Sequence, residues 1–173
     1  MVSAARRGLV RRALLLGALG LVSLTGVVQA QSALVNKSAP PFVRKDLQGK
    51  LVDLKALRGK VILLNFWATW CGPCQVELPK FQAWQRAYGP SGFQVIAVSM
   101  DDESESVRAT VRRLHLEVPV VMGDEKLGRL YGGVLGLPIT FLIDRKGMIV
   151  DRHEGAADLP EMERKVQTLL ALR

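Results

Sequence analysis

The chain carries two cysteines, Cys71 and Cys74, both inside the stretch FWATWCGPCQVELP that runs from Phe66 to Pro79. Two thiols three positions apart can serve as a structural bridge, as half of a zinc site or as a redox couple. A zinc site needs four ligands. No further cysteine exists, and His115 and His153 stand 38 residues apart, outside finger spacing. A bridge is the stronger alternative, but closing so small a loop removes little chain entropy and makes a poor staple. A redox couple suits the spacing best. In the first turn of a helix, residues i and i+3 have alpha carbons about 5 Å apart, inside the range a disulfide accepts. The pair can therefore open and close with little backbone movement. Cys71 falls at the expected helix N-terminus, where unpaired amides and the helix dipole favour a thiolate and draw its pKa below the usual value of about 8.5. Cys74, one turn inside, should be more buried and better protonated. The chemistry that follows is thiol–disulfide exchange. Cys71 attacks a substrate disulfide, a mixed disulfide forms, and Cys74 then attacks Cys71 and releases the reduced substrate.

Neighbouring residues fit around this couple. Glu77 heads a helical stripe continued by Phe81, Trp84 and Tyr88. A carboxyl there can be desolvated, with a raised pKa, and take the proton of Cys74. The alternative is a solvated first-turn glutamate favoured by the dipole. Asn65 lies in a strongly apolar run and reads as a buried hydrogen-bonding side chain. Trp67 reads as core and Trp70 as a rim aromatic that could touch substrate. Pro79 shapes the helix by removing one backbone bond. Arg108, Arg112 and Arg113 read as a solvated helix face, with an acidic docking partner as the alternative.

Local patterns supply the elements that must position these groups. FVRKDLQGKLVDLKAL suggests two short strands turning near Gln48-Gly49. Val61–Trp67 is almost continuously apolar, as a strand buried on both faces should be. A helix is expected from Pro73 to Tyr88, a second buried strand over Phe93–Met100, a helix over Ser104–Leu114 and a short one over Glu125–Tyr131. ITFLID and MIVDRHE flank Arg145-Lys146-Gly147, a hairpin signal. Asp158-Leu159-Pro160-Glu161 reads as a capped start, followed by a stripe of Met162, Val166, Leu169 and Leu170. Strands alternating with helices require crossovers, hence a mixed α/β sheet covered on both faces, with an extra N-terminal hairpin.

The whole chain, 173 residues, suffices for one domain with a sizeable core. The net charge of +8 first suggests a polyanion partner. Four of the basic residues, Arg6, Arg7, Arg11 and Arg12, lie in the N-terminal head, and without them the balance is 20 basic to 16 acidic. That mild excess is a weak argument for nucleic acid, and no nucleic-acid partner is expected. The head ARRGLVRR leads into ALLLGALGLVSLTGVV and then VQA before Gln31. This reads as an export signal over residues 1–30, cleaved after Ala30 or retained as an anchor. Arg11-Arg12 admits a twin-arginine route as the minor reading. Residues 31–40 read as a linker, and 41–173 as the folded domain.

FWATWCGPC resembles the active-site stretch of thioredoxin-fold proteins. More widely, SAPPFVRKDLQGKLVDLKALRGKVILLNFWATWCGPCQVELP is similar to the front end, and YGGVLGLPITFLIDRKGMIV to the back end, of the exported thiol–disulfide reductases of the TlpA/ResA/CcmG (DsbE-like) group. The likeness spans nearly all of residues 38–173. One departure is Ile139, where many relatives carry threonine. The resemblance implies a thioredoxin fold, a cis peptide bond at Leu137-Pro138 beside the cysteines, and an edge there that pairs with an extended substrate chain. It also implies an acid at the position of Glu77, no cofactor, and protein disulfides as substrates. Where classical thioredoxins place a buried aspartate, this chain has Asn65, which leaves Glu77 as the nearest proton acceptor. Exported proteins work where disulfides form, so an oxidant is the first expectation. Gly72-Pro73, however, matches reducing thioredoxin, at about −270 mV, rather than a strong oxidant near −120 mV. A reductant is expected, fed by a membrane electron donor and acting as a monomer. Its implied use is cytochrome c or copper-oxidase maturation. Two rivals stand beside this reading. One is a copper-handling protein using the two thiolates. The other is a thiol peroxidase, although the peroxidase motif P-x-x-x-T-x-x-C is absent before either cysteine.

Overall fold

A computed structural model describes residues 34–172. Its centre is a five-stranded sheet in the order β5-β4-β3-β6-β7. The strands are β3 (Val61–Trp67), β4 (Phe93–Ser99), β5 (Val120–Met122), β6 (Ile139–Ile143) and β7 (Ile149–Glu154). Two short strands, β1 (Val43–Lys45) and β2 (Leu51–Asp53), form a separate antiparallel hairpin. The helices are α1 (Gly72–Tyr88), α2 (Ser104–Arg113), α3 (Glu125–Leu130) and α4 (Leu159–Ala171).

Every residue of β3 is buried, which explains its unbroken apolar run. It pairs parallel with β4 and antiparallel with β6. Parallel neighbours need long crossovers, and α1 and α2 supply them. The alternation of side chains along β3 divides the core. Val61, Leu63 and Trp67 pack with residues of α1, α2 and α4, including Phe81, Trp84, Val107, Met162 and Val166. Ile62, Leu64 and Phe66 pack on the other face with Leu127 and Tyr131 from the α3 region and with Phe42, Val52 and Leu54 of the N-terminal segment. The Tyr131 hydroxyl donates to the Pro40 carbonyl at 2.8 Å, and burial pushes this phenol well above its ordinary pKa.

The thioredoxin fold, the mixed sheet and the additional hairpin all match the sequence reading. Three local features differ from it. Strand β5 has no counterpart in the sequence pattern. Three residues between Pro119 and Gly123 are too few to show a period. Residues 34–40 do not hang free as a linker. Asn36 donates its N–H to Ile149 O at 2.8 Å, Ala39 donates to Gly147 O at 2.9 Å, and Leu34, Val35 and Ala39 pack on the core. The polar look of that stretch concealed its apolar members. The face carrying Arg108 and Arg113 is tethered as well as solvated, with Arg108 donating to Leu47 O and Arg113 to the Gln75 side chain, each at 2.6 Å. The expected export signal lies outside the described residues. Among the described residues, no helix is long and apolar enough to cross a membrane.

Candidate active site

The site lies where β3 ends and α1 begins. Cys71 is the N-cap residue of α1, with extended backbone, and Pro73 occupies the first helical turn. The missing N–H of that proline costs nothing there, because first-turn amides have no helical partner. Cys71 and Cys74 form a disulfide with alpha carbons 5.4 Å apart, as the helical spacing requires. The Cys74 N–H donates to Cys71 Sγ at 3.3 Å. A sulfur that receives a helix-terminal amide is a sulfur whose anion would be stabilised on reduction.

The two sulfurs differ less in exposure than the sequence suggests. Cys74 is fully buried and Cys71 retains 4 % of its surface. Cys71 belongs to one buried cluster with Trp67, Leu78 and Ala97, which leaves its surface only a small opening to solvent. The rim of that opening is exposed and apolar. Trp70 is 72 % exposed, Val76 is 65 % exposed, and Gly72 and Pro73 are exposed with them.

The loop 132–138 brings the second predicted group. Leu137-Pro138 is a cis peptide bond. Leu137 packs against the same cluster as both cysteines. The Pro138 carbonyl accepts from Gly155 N–H at 2.8 Å, whereas the N–H and C=O of Leu137 have no partner among the described residues. An unpaired donor and acceptor beside a disulfide are what an extended chain can pair with. Leu135, two residues earlier, is 88 % exposed.

Glu77 lies one turn beyond Cys74 and is buried, not solvated. One carboxyl oxygen accepts from Ala157 N–H at 2.7 Å and the other has no partner among the described residues. Burial raises its pKa above the ordinary carboxylate value, against the smaller opposing pulls of the Ala157 N–H and the charge of His153. Asn65 lies beneath α1 and donates to Thr140 Oγ1 at 2.9 Å, while its own Oδ1 is unpaired among the described residues. Trp67 Nε1 is likewise unpaired.

Sequence reasoning missed a group that holds the loop in front of Cys71. Asp101, just past β4, accepts from the Thr69 N–H at 3.0 Å, from the Thr69 hydroxyl at 2.6 Å and from the Ser99 hydroxyl at 2.8 Å. The Thr69 carbonyl accepts from Gln75 Nε2 at 2.6 Å, and Gln75 in turn accepts from Arg113. The available signal was topological. Thr69 and Asp101 follow the carboxyl ends of adjacent parallel strands, the edge where α/β sheets gather functional groups. Among the described residues, no group of three or more His, Cys, Asp or Glu side chains is placed to hold a metal ion.

Comparison with known proteins agrees with this geometry. The AhpC/TSA family model matches residues 35–152. The thiol-disulfide oxidoreductase ResA of Bacillus thuringiensis subsp. konkukian is 34 % identical over 153 residues, covering 87 % of each chain. The thioredoxin-like protein YneN of Bacillus subtilis is 36 % identical over 133 residues, 75 % of this chain and 77 % of its own. Among solved structures, a putative thiol:disulfide interchange protein DsbE from Chlorobium tepidum superposes with a TM-score of 0.75 at 34 % identity. It covers 79 % of this chain and 98 % of its own. A helix-capping dithiol on a thioredoxin fold, matched along most of its length by oxidoreductases of that chemistry, places this chain in the AhpC/TSA family, among its thioredoxin-like thiol–disulfide oxidoreductases.

Proposed function

We propose that the protein reduces disulfides of other proteins outside the cytoplasm. The observation that carries the reading is the capping geometry at Cys71, with the Cys74 amide aimed at its sulfur. The reduced enzyme presents Cys71 as thiolate. It attacks one sulfur of a substrate disulfide, the substrate's S–S bond breaks, and the other substrate sulfur leaves as a thiolate. Cys74 then loses its proton to Glu77 and attacks Cys71. The intramolecular disulfide forms, and the second substrate thiolate departs. The substrate chain runs along Leu137 and Pro138, where unpaired backbone groups support such pairing, and rests on Trp70.

The direction of electron flow is argued from Gly72-Pro73, which carries no histidine or basic residue to acidify Cys71 further. Strong oxidants need a much more acidic first thiol. The export-type N-terminus supports an extracytoplasmic site of action. There a reductant must be recharged by a membrane donor. Maturation of c-type cytochromes or of a copper oxidase is the use that the family resemblance favours. Equilibration with redox buffers tests the direction. The Cys71/Cys74 couple should poise near thioredoxin, at about −270 mV, and a value above about −150 mV would make the protein an oxidant.

A further inference from the structure

His153 stands out as a titratable side chain that the mechanism above leaves unused. Residues Asn65, Thr140 and His153 are direct partners across β3, β6 and β7, so their side chains share the sheet face that α1 covers. His153 Nε2 lies 3.1 Å from the Ala156 carbonyl. Glu77 accepts from the Ala157 N–H at 2.7 Å. These two bonds grip one and the same peptide unit, its oxygen on the histidine side and its N–H on the glutamate side. A carbonyl can only accept, so Nε2 carries the hydrogen of this bond. Hydrogen bonds at both ends of a peptide reinforce each other through its polarisation.

We propose that His153 is a positioning residue of the resolving step, holding Glu77 through the Ala156–Ala157 peptide and setting the pH window in which that carboxylate accepts the Cys74 proton. The proposal rests on the role given to Glu77 above. Other groups packed around Glu77 are neutral or already engaged. Asn65 and Thr140 bond each other. Asp151, on the same face of β7, pairs with Lys165 of α4, which also reaches Glu161. Asp158 caps α4 by accepting from Glu161 N–H. Arg152 and Glu154 alternate to the opposite face of β7 and pair there, and Lys80 of α1 is exposed. His153 is thus the side chain whose charge acts on the Glu77 carboxyl. An imidazole changes charge between about pH 5 and 8. As imidazolium it pulls against the burial that raises the Glu77 pKa and so favours the carboxylate form.

The test is the resolving rate of the reduced protein, followed by tryptophan fluorescence after mixing with glutathione disulfide at concentrations where the rate no longer depends on oxidant. His153→Gln keeps an N–H for the Ala156 carbonyl and removes the charge. Its rate should fall about fivefold at pH 6, the scale of one nearby charge well screened by water, and match the wild type at pH 8.5. A profile that superimposes on the wild type, or a reduction equal at every pH, overturns the proposal. Glu77→Gln separates the two readings. If it leaves the profile unchanged, the acceptor role of Glu77 fails and this proposal with it. If it alone changes the profile, only the role of His153 fails. Should His153→Gln not fold, the Glu77 carboxyl carbon can be followed by NMR in the wild type. A second inflection between pH 5 and 8 is expected, and a single inflection overturns the proposal.

Discussion

The two flanks of the disulfide are built on opposite principles. On the flank facing β4, Asp101 collects three hydrogen bonds from Thr69 and Ser99, and Gln75 and Arg113 close the chain on the Thr69 carbonyl. Beneath α1, by contrast, Asn65 Oδ1, Trp67 Nε1 and Glu77 Oε2 are buried without partners among the described residues. Buried polar atoms are nearly always paired, and each exception asks for a reason. The difference teaches that the loop fixing the Cys71 sulfur must be saturated to be rigid. The flank proposed to handle a proton keeps unused capacity.

Substitutions on each flank should therefore fail in different ways. On the open flank, Glu77→Gln should slow resolution of the mixed disulfide about a hundredfold at neutral pH, the lower range for general acid–base catalysis. Stopped-flow kinetics would show it, with attack by Cys71 unaffected. The same change should alter stability in a pH-dependent way. The folded pKa of Glu77 is raised by burial, so its stabilising contribution is complete below the unfolded value of about 4.5. That contribution is lost as pH rises through the folded value. Urea titrations across this window should show the wild type losing stability relative to Glu77→Gln as pH increases. On the saturated flank, Asp101→Ala orphans the Thr69 and Ser99 donors and should cost about 2–3 kcal/mol in the denaturation midpoint. If both flanks responded alike, in rate and in stability, the contrast would be lost.

Smaller effects refine the picture. Asn65→Leu removes an unpaired oxygen together with one hydrogen bond to Thr140. Deleting the unpaired oxygen offsets only part of the cost of orphaning the buried Thr140 hydroxyl, so stability should fall by about 1 kcal/mol. Trp70→Ala should leave stability within about 0.5 kcal/mol, because the ring is exposed. It should raise KM for a protein disulfide several-fold while hardly affecting a small one such as glutathione disulfide. Equal effects on both substrates would remove Trp70 from the docking rim.

What could be seen in the sequence was local. The apolar run of β3, the i, i+3 cysteines at the start of α1, the stripe from Glu77 to Tyr88 and the cap at Asp158 each depend on residues a few positions apart. The contacts that could not be seen bridge distant segments. Thr69 meets a carboxylate 32 residues away, and Glu77 meets an amide 80 residues away. No period or motif encodes such pairings, because they arise only when β3, β4 and the loop after β7 are brought to one edge of the sheet. Exposure was hidden for the same reason. Helix position alone ranks Cys74 as the more buried sulfur, but it does not show that Cys71 is itself almost enclosed.

The central claim is that Cys71 is an activated nucleophile despite that narrow opening, with Cys74 held back beneath it. Alkylation of the dithiothreitol-reduced protein by iodoacetamide across pH, with the labelled cysteine located by mass spectrometry, tests this most directly. The account predicts a single label on Cys71, with a midpoint below the ordinary thiol value of about 8.5, and Cys74 unmodified in the folded state. A midpoint at or above that value, equal labelling of both cysteines, or no labelling of either would contradict it.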